Sequence, residues 1–98
     1  MNIADLQEYQ QKNRTRLKEL RTRIDILEKR AGRAEADIQV RFDQKIGQIR
    51  GQHAQVKAKV DELRNARHET WTDEKSELDR AIDALSESID YLARRMSV

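Results

Sequence analysis

The chain has no cysteine and no proline, only three glycines, and four aromatic residues among 98. Without cysteine there is no disulfide framework and no thiol chemistry. Without proline, and with so little glycine, it holds few of the residues that break helices. Hydrophobic residues make up only 37%, so a fully closed globular core is not expected of so short a chain. Long apolar runs are missing too: no stretch approaches the roughly 20 residues of a membrane span, and residues 1–4 do not open a signal peptide. What the chain does have is charge, 20 Lys+Arg against 18 Asp+Glu, for a net of +2. A balanced, proline-free chain with evenly spaced apolar residues reads as long helices or a coiled coil rather than a disordered tail.

The spacing can be followed residue by residue. Ile3, Leu6, Gln10, Asn13, Leu17, Leu20, Ile24, Leu27, Ala31, Ala34 and Ile38 alternate steps of three and four, the period of a left-handed coiled-coil seam. Asn2 and Asp5 fit a capped helix start. A second stripe runs Phe42, Ile46, Ile49, His53, Val56, Val60, Leu63, and a third runs Trp71, Lys75, Leu78, Ile82, Leu85, Ile89, Leu92, Met96. Between stripes the phase slips, because 34, 38, 42 and 46 are three successive steps of four. The same slip recurs at 63, 67, 71 and 75. Slips of this kind either unwind a coil locally or mark a turn.

The first slip keeps an apolar seam through Ile38 and Phe42, so it reads as a bend in one continuous helix, with Gly47 and Gly51 weakening that helix just beyond as a hinge. The second slip carries no large apolar residue over 65–70, and Thr70 followed by Asp73 and Glu74 resembles a helix N-terminus. The turn belongs there. Charge agrees: residues 1–67 carry 16 basic and 10 acidic side chains, residues 68–98 carry 4 and 8. Opposite charges flanking an apolar seam favour a helix folding back on its neighbour, and 42–66 and 70–96 would each span about 40 Å. The expected fold is therefore all-α. It is a single-domain antiparallel coiled-coil hairpin with a long helix over about 3–66, a turn at about 65–70 and a shorter helix over about 70–96.

That hairpin leaves the N-terminal stripe uncovered. Ile3, Leu6, Asn13, Leu17, Leu20, Ile24, Leu27, Ala31, Ala34 and Ile38 are the expected homo-oligomer interface, with Gln10 and Asn13 fixing register and the alanines allowing close approach. The alternative is a three-helix monomer with a turn near Gly47, in which the same stripe is internal.

Functional readings are few. Lys12, Arg14, Arg16, Lys18, Arg21, Arg23, Lys29, Arg30 and Arg33 make the stretch 12–33 strongly basic. They are candidate contacts for a polyanion, whether nucleic acid or an anionic membrane surface. No aromatic residue interleaves them to stack bases, and Glu19–Arg23 and Asp25–Lys29 pair as ordinary helix neighbours. The apolar stripe is too narrow for a lipid-seeking helix, and the GxxxG spacing at Gly47 and Gly51 encloses Gln48 and Arg50, which excludes a membrane dimer motif. His53 and His68 stand fifteen apart with no cysteine, so no metal or cofactor site is expected. Ser76, Ser86, Ser88 and Ser97 have no base nearby, and the acid pairs Asp79/Asp83 and Asp83/Glu87 read as solvated or cross-helix partners. Catalysis needs a concave, partly dry site, and the expectation is that the chain is not an enzyme. His68 and Trp71 fall at the hairpin tip, where they would touch an unknown protein partner, although Trp71 heads the third stripe and reads better as core.

Tyr9-x-x-Lys12, Leu20-x-x-x-Ile24-Asp25-x-Leu27, Ala31-x-x-Ala34-Glu35-Ala36-Asp37, Phe42, Leu63 and Trp71-x-Asp73-x-Lys75 follow one another in this order. The sequence resembles a group of small bacterial coiled-coil proteins, some labelled stress-response proteins. In that group a long charged helix leads through a small-residue connector to a shorter amphipathic helix. Here the connector lacks Ser-Gly, Glu74 stands where a hydrophobic residue is usual, and Ile82 replaces a second aromatic. The resemblance implies a cytoplasmic bacterial protein with a stress link and supplies no active site.

Overall fold

The computed structural model describes the backbone of residues 3–63 and 71–96, and side chains over 4–63 and 72–96. It is all-helical in those residues: α1 spans Ile3–Ala31, α2 Ala36–Glu62 and α3 Trp71–Met96. The single helix expected over 3–66 is therefore two helices. The break comes at the first phase slip, not at Gly47.

Several weak local preferences coincide at that break. The segment 31–36 reads Ala-Gly-Arg-Ala-Glu-Ala, with no large apolar residue to hold a continuous seam. Gly32 lowers helix propensity by about 1 kcal/mol relative to alanine, and it does so without adopting positive φ. The last turn tightens, with Arg33 N–H donating to the Arg30 carbonyl and Ala34 N–H to that of Ala31, both at 3.1 Å. Glu35 then extends (φ −59°, ψ 152°) and its carbonyl accepts the Gln39 N–H at 2.8 Å, opening α2. Folding back here gives the N-terminal stripe a covering that no straight helix could, and that burial outweighs the few backbone bonds lost. Gly47 and Gly51 lie inside continuous α2.

Side-chain bridges fix the directions. Gln10 meets Val60, His53 meets Leu17 and Arg50 meets Asp25, so α1 and α2 run antiparallel. Arg16 meets Asp83 and Arg23 meets Asp90, both 67 residues apart, so α1 and α3 run parallel. The molecule is an up-down-up three-helix rod of 52 × 18 × 18 Å.

The three stripes read from the sequence converge on one core. Leu17, Leu20, Ile24, Leu27 and Ala31 pack with Ile46, Ile49, Val56, Val60 and Leu63, and with Leu78, Ile82, Leu85, Ile89 and Leu92. Ala31 is 0% exposed, and its small side chain lets the helices close together beside the turn. Leu6, Phe42 and Met96 pack against this core from its ends. The stripe assigned to an oligomer interface is thus covered by α2 and α3 of the same chain, which removes the reason for a partner on that face. Of its members, Ala34 is half-buried, Ile38 is exposed, and the Ile3 side chain is outside the described residues. The turn at 65–70 and the helix start at Asn2 and Thr70 also lie outside them.

Candidate functional site

Acidic α3 does not take its charge partners from α2, the neighbour it follows in sequence, in the pairs that define its position. Arg16 and Arg23, one heptad apart on α1, reach Asp83 and Asp90, one heptad apart on α3. The pairing is 3.0 Å for Arg16–Asp83. All four side chains are about half exposed, so each pair contributes about 0–1 kcal/mol and acts chiefly on register. The intrahelical pairs Glu19–Arg23 and Asp25–Lys29 are replaced by these longer reaches. Asp25 instead shares Arg50 with Glu28. The Arg50 guanidinium, hydrogen-bonded to Asp25, holds that carboxyl below its ordinary range, and Asp25 in turn raises Arg50.

Tyr9 continues the same heptad ladder toward the N-terminus, and sequence reading gave it no role. Its hydroxyl donates to Asp79, lies 3.3 Å from the Lys75 carbonyl, and its ring sits 5.5 Å from the Lys75 ammonium. Burial, then the Asp79 bond, pushes the phenol well above its ordinary value, while the Asn13 amide acts in the opposite direction. The signal was present as a seven-residue step from Tyr9 to Arg16 to Arg23, opposite an acidic helix.

The basic stretch 12–33 is divided by the fold. Arg14 pairs with Asp61 at 3.4 Å, and Arg16 and Arg23 are engaged by α3. Lys12, Lys18, Arg21, Lys29, Arg30 and Arg33 are exposed. Lys18 and Arg21 join Arg14, His53, Lys57 and Asp61 around a shallow depression of about 180 Å³ between α1 and α2. There the His53 Nε2–H donates to the Leu17 carbonyl at 2.9 Å, so His53 is a half-buried bridging residue on the flank of the core. His68 and the Trp71 side chain, placed at the expected tip, lie outside the described residues. Among the described residues no group of three or more His, Cys, Asp or Glu is arranged to hold a metal ion, and no helix is long and apolar enough to cross a membrane.

A groove of about 850 Å³ lies between the N-terminal half of α2 and the C-terminal half of α3. Phe42, Ile49 and Leu92 form its floor, and Ile38 and Tyr91 stand at its edges, 45% and 54% exposed. Arg41, Lys45 and Arg95 rim it against one acid, Glu87. Arg95 stacks over the Tyr91 ring, 5.5 Å from its centroid, and donates to the Tyr91 hydroxyl at 2.9 Å. This arrangement holds an aromatic ring and a cation together at the surface. None of these residues was singled out as a site from the sequence except Ile38, which was assigned to another interface. The groove exists because α2 begins anew at Ala36, and that start was hidden by the expected continuous helix.

Comparison of the chain with protein-family models, with curated proteins and with solved structures gives no match.

Proposed function

We propose that the chain is a non-enzymatic helical interaction module that works by protein–protein docking, in the manner of a small scaffold or adaptor. The supporting observation is the groove between α2 and α3, where Ile38 and Tyr91 expose large apolar surface beside half-buried Phe42 under a basic rim. Contiguous apolar surface edged by polar residues is the usual mark of a docking face. A bacterial, cytoplasmic, stress-linked setting is part of this reading and rests only on the resemblance. The test is site-specific photo-crosslinking in cells from positions 38 and 91, with position 26 on the exposed side of α1 as control. Discrete adducts from both positions, with those from 38 lost on Tyr91→Asp, support the reading. Equal labelling from position 26, or none from the groove, rejects it.

A second reading is polyanion binding, supported by Lys18, Arg21, His53 and Lys57 meeting around one depression. It moves the contact set from a run along α1 to a two-helix patch, because Arg16 and Arg23 are engaged elsewhere. Duplex DNA should then bind at low salt and be lost as salt rises, with a slope of about 0.9 per phosphate contacted. Lys18→Glu with Lys57→Glu should abolish it, and binding unchanged by those substitutions ends this reading.

A further inference from the structure

The α2/α3 face carries a second depression at its opposite end, and the two ends are charge opposites. At the end near the 32–35 turn, the groove is rimmed by Arg41, Lys45 and Arg95 with one acid, Glu87. At the far end, Glu62, Glu74 and Glu77 surround a depression of about 200 Å³ with one base, Lys59. Three bases and one acid thus face away from three acids and one base along a single side of the rod. Along the middle of that side α2 offers Gln48, Gln52 and Gln55, and α3 Ala81, Ala84 and Ser88, with one exposed charge, Arg80, on the heptad row of Glu87. The α3 positions follow from spacing, since 74, 81, 88 and 95 form one heptad row and 77, 84 and 91 the next.

We propose that this face binds a second copy of the chain, with the two rods antiparallel about a twofold axis through the Ala84 region. The proposal rests on the docking reading above and names its occupant. A twofold contact must be self-complementary, each patch meeting its counterpart's complement twice. Antiparallel placement does this: Arg41, Lys45 and Arg95 of each copy face Glu62, Glu74 and Glu77 of the other, and Glu87 faces Lys59. Parallel placement would set like charge on like. The small and amide side chains at the centre permit close approach of the helices, and Tyr91, seven residues from Ala84, is covered by the Glu77 region of the other copy. Size is adequate as well. A stable interface takes about 800 Å² from each partner, and one side of a rod 52 Å long and 18 Å wide is of that order. This interface is distinct from the N-terminal stripe, which the core occupies.

Charge reversal on the full-length chain tests the geometry directly. Arg41→Glu with Lys45→Glu makes both ends acidic, and Glu74→Lys with Glu77→Lys makes both ends basic. Sedimentation should show a dimeric parent and a monomer for each variant alone, with helical circular dichroism unchanged. Mixing the two variants should restore a dimer, because the all-acidic face complements the all-basic one. Ala84→Arg, at the centre, should yield a folded monomer. A monomeric parent at millimolar concentration, a dimer that survives both reversals, or variants that do not re-pair on mixing overturns the proposal. If the parent is monomeric while positions 38 and 91 still crosslink to a different protein, docking stands and only the second copy is lost. If the groove crosslinks to nothing as well, both fall.

Discussion

The Gln10 side-chain amide donates a 2.7 Å hydrogen bond to the Val60 carbonyl, joining the first third of α1 to the last turn of α2. Both residues are buried. The same carbonyl also accepts the N–H of Leu63 at the end of α2, so Gln10 supplements a helix terminus that retains a partner without it. One turn further along α1, the buried Asn13 amide nitrogen makes no well-formed hydrogen bond and reaches only toward the Tyr9 hydroxyl. The two polar interruptions of one apolar stripe are therefore energetically unlike.

Substitution by leucine at each site separates them. Gln10→Leu loses a buried bond and should destabilise by about 1 kcal/mol. Asn13→Leu removes a buried amide nitrogen whose one reach is toward Tyr9 and should stabilise by up to about 1 kcal/mol. Urea midpoints at constant m-value measure both. An Asn13→Leu chain less stable than its parent would show that the Asn13 amide is satisfied in solution, by Tyr9 or by water.

Ile24, 1% exposed, sits in the middle of the stripe that α2 and α3 cover. Ile24→Ala should cost about 2–5 kcal/mol, as buried truncations do, whereas Ile26→Ala, two residues away and 46% exposed, should change stability by less than about 0.5 kcal/mol. Because the covering helices belong to the same chain, the Ile24→Ala penalty should not depend on protein concentration. A penalty that shrinks as the protein is diluted would instead place Ile24 between chains.

The burial of Ile24 was legible in the sequence, and so was that of Leu78, Ile82, Leu85 and Ile89. The steps of three and four record which side of each helix avoids water, whatever covers that side. What covers it was not legible, because a stripe on α1 is satisfied equally by a second chain or by a helix returning from a turn. The turn itself was marked by a phase slip at 34–46, but Ile38 and Phe42 keep that slip apolar and disguise it as a bend. Gly47 and Gly51 stand out as helix weakeners in the sequence, although Gly32, beside three alanines, is the weaker point. A local propensity difference of about 1 kcal/mol cannot choose between these sites; the core that forms after the turn does. The charge split was visible too, but pairing across helices is set by a three-dimensional offset. Hence Arg16 and Arg23 met α3, and the α2/α3 groove went unseen.

Gly47 and Gly51 now read as positions where α2 carries a cost without a structural need. A Cβ at either would meet nothing within 4 Å, and neither adopts positive φ. Gly47→Ala and Gly51→Ala should each stabilise by up to about 1 kcal/mol, raising Tm by about 4–8 °C per kcal/mol in a domain of this size. The two effects should be nearly additive, since the sites touch no common partner. A fall in Tm for either variant would mean that α2 bends there in solution.

Tyr9 supplies the pH dependence. Burial and the bond to Asp79 raise its phenol above the ordinary value of 10.0. The unfolded chain therefore releases this proton before the folded chain does, and stability falls with pH wherever the folded state holds more protons. The Tyr9 contribution is complete below pH 10.0 and is lost progressively as pH climbs from there toward the raised folded value. Tyr9→Phe should cost about 1 kcal/mol near neutrality through the lost bond to Asp79, and that cost should shrink steadily above pH 10.0. The chain has two tyrosines, so in a Tyr91→Phe background phenolate absorbance reports Tyr9 alone. It should stay protonated past the ordinary value while helical circular dichroism persists, then ionise together with unfolding. Ionisation of Tyr9 at its ordinary value in a fully helical chain would show that the α1–α3 contact at Asp79 does not form in solution.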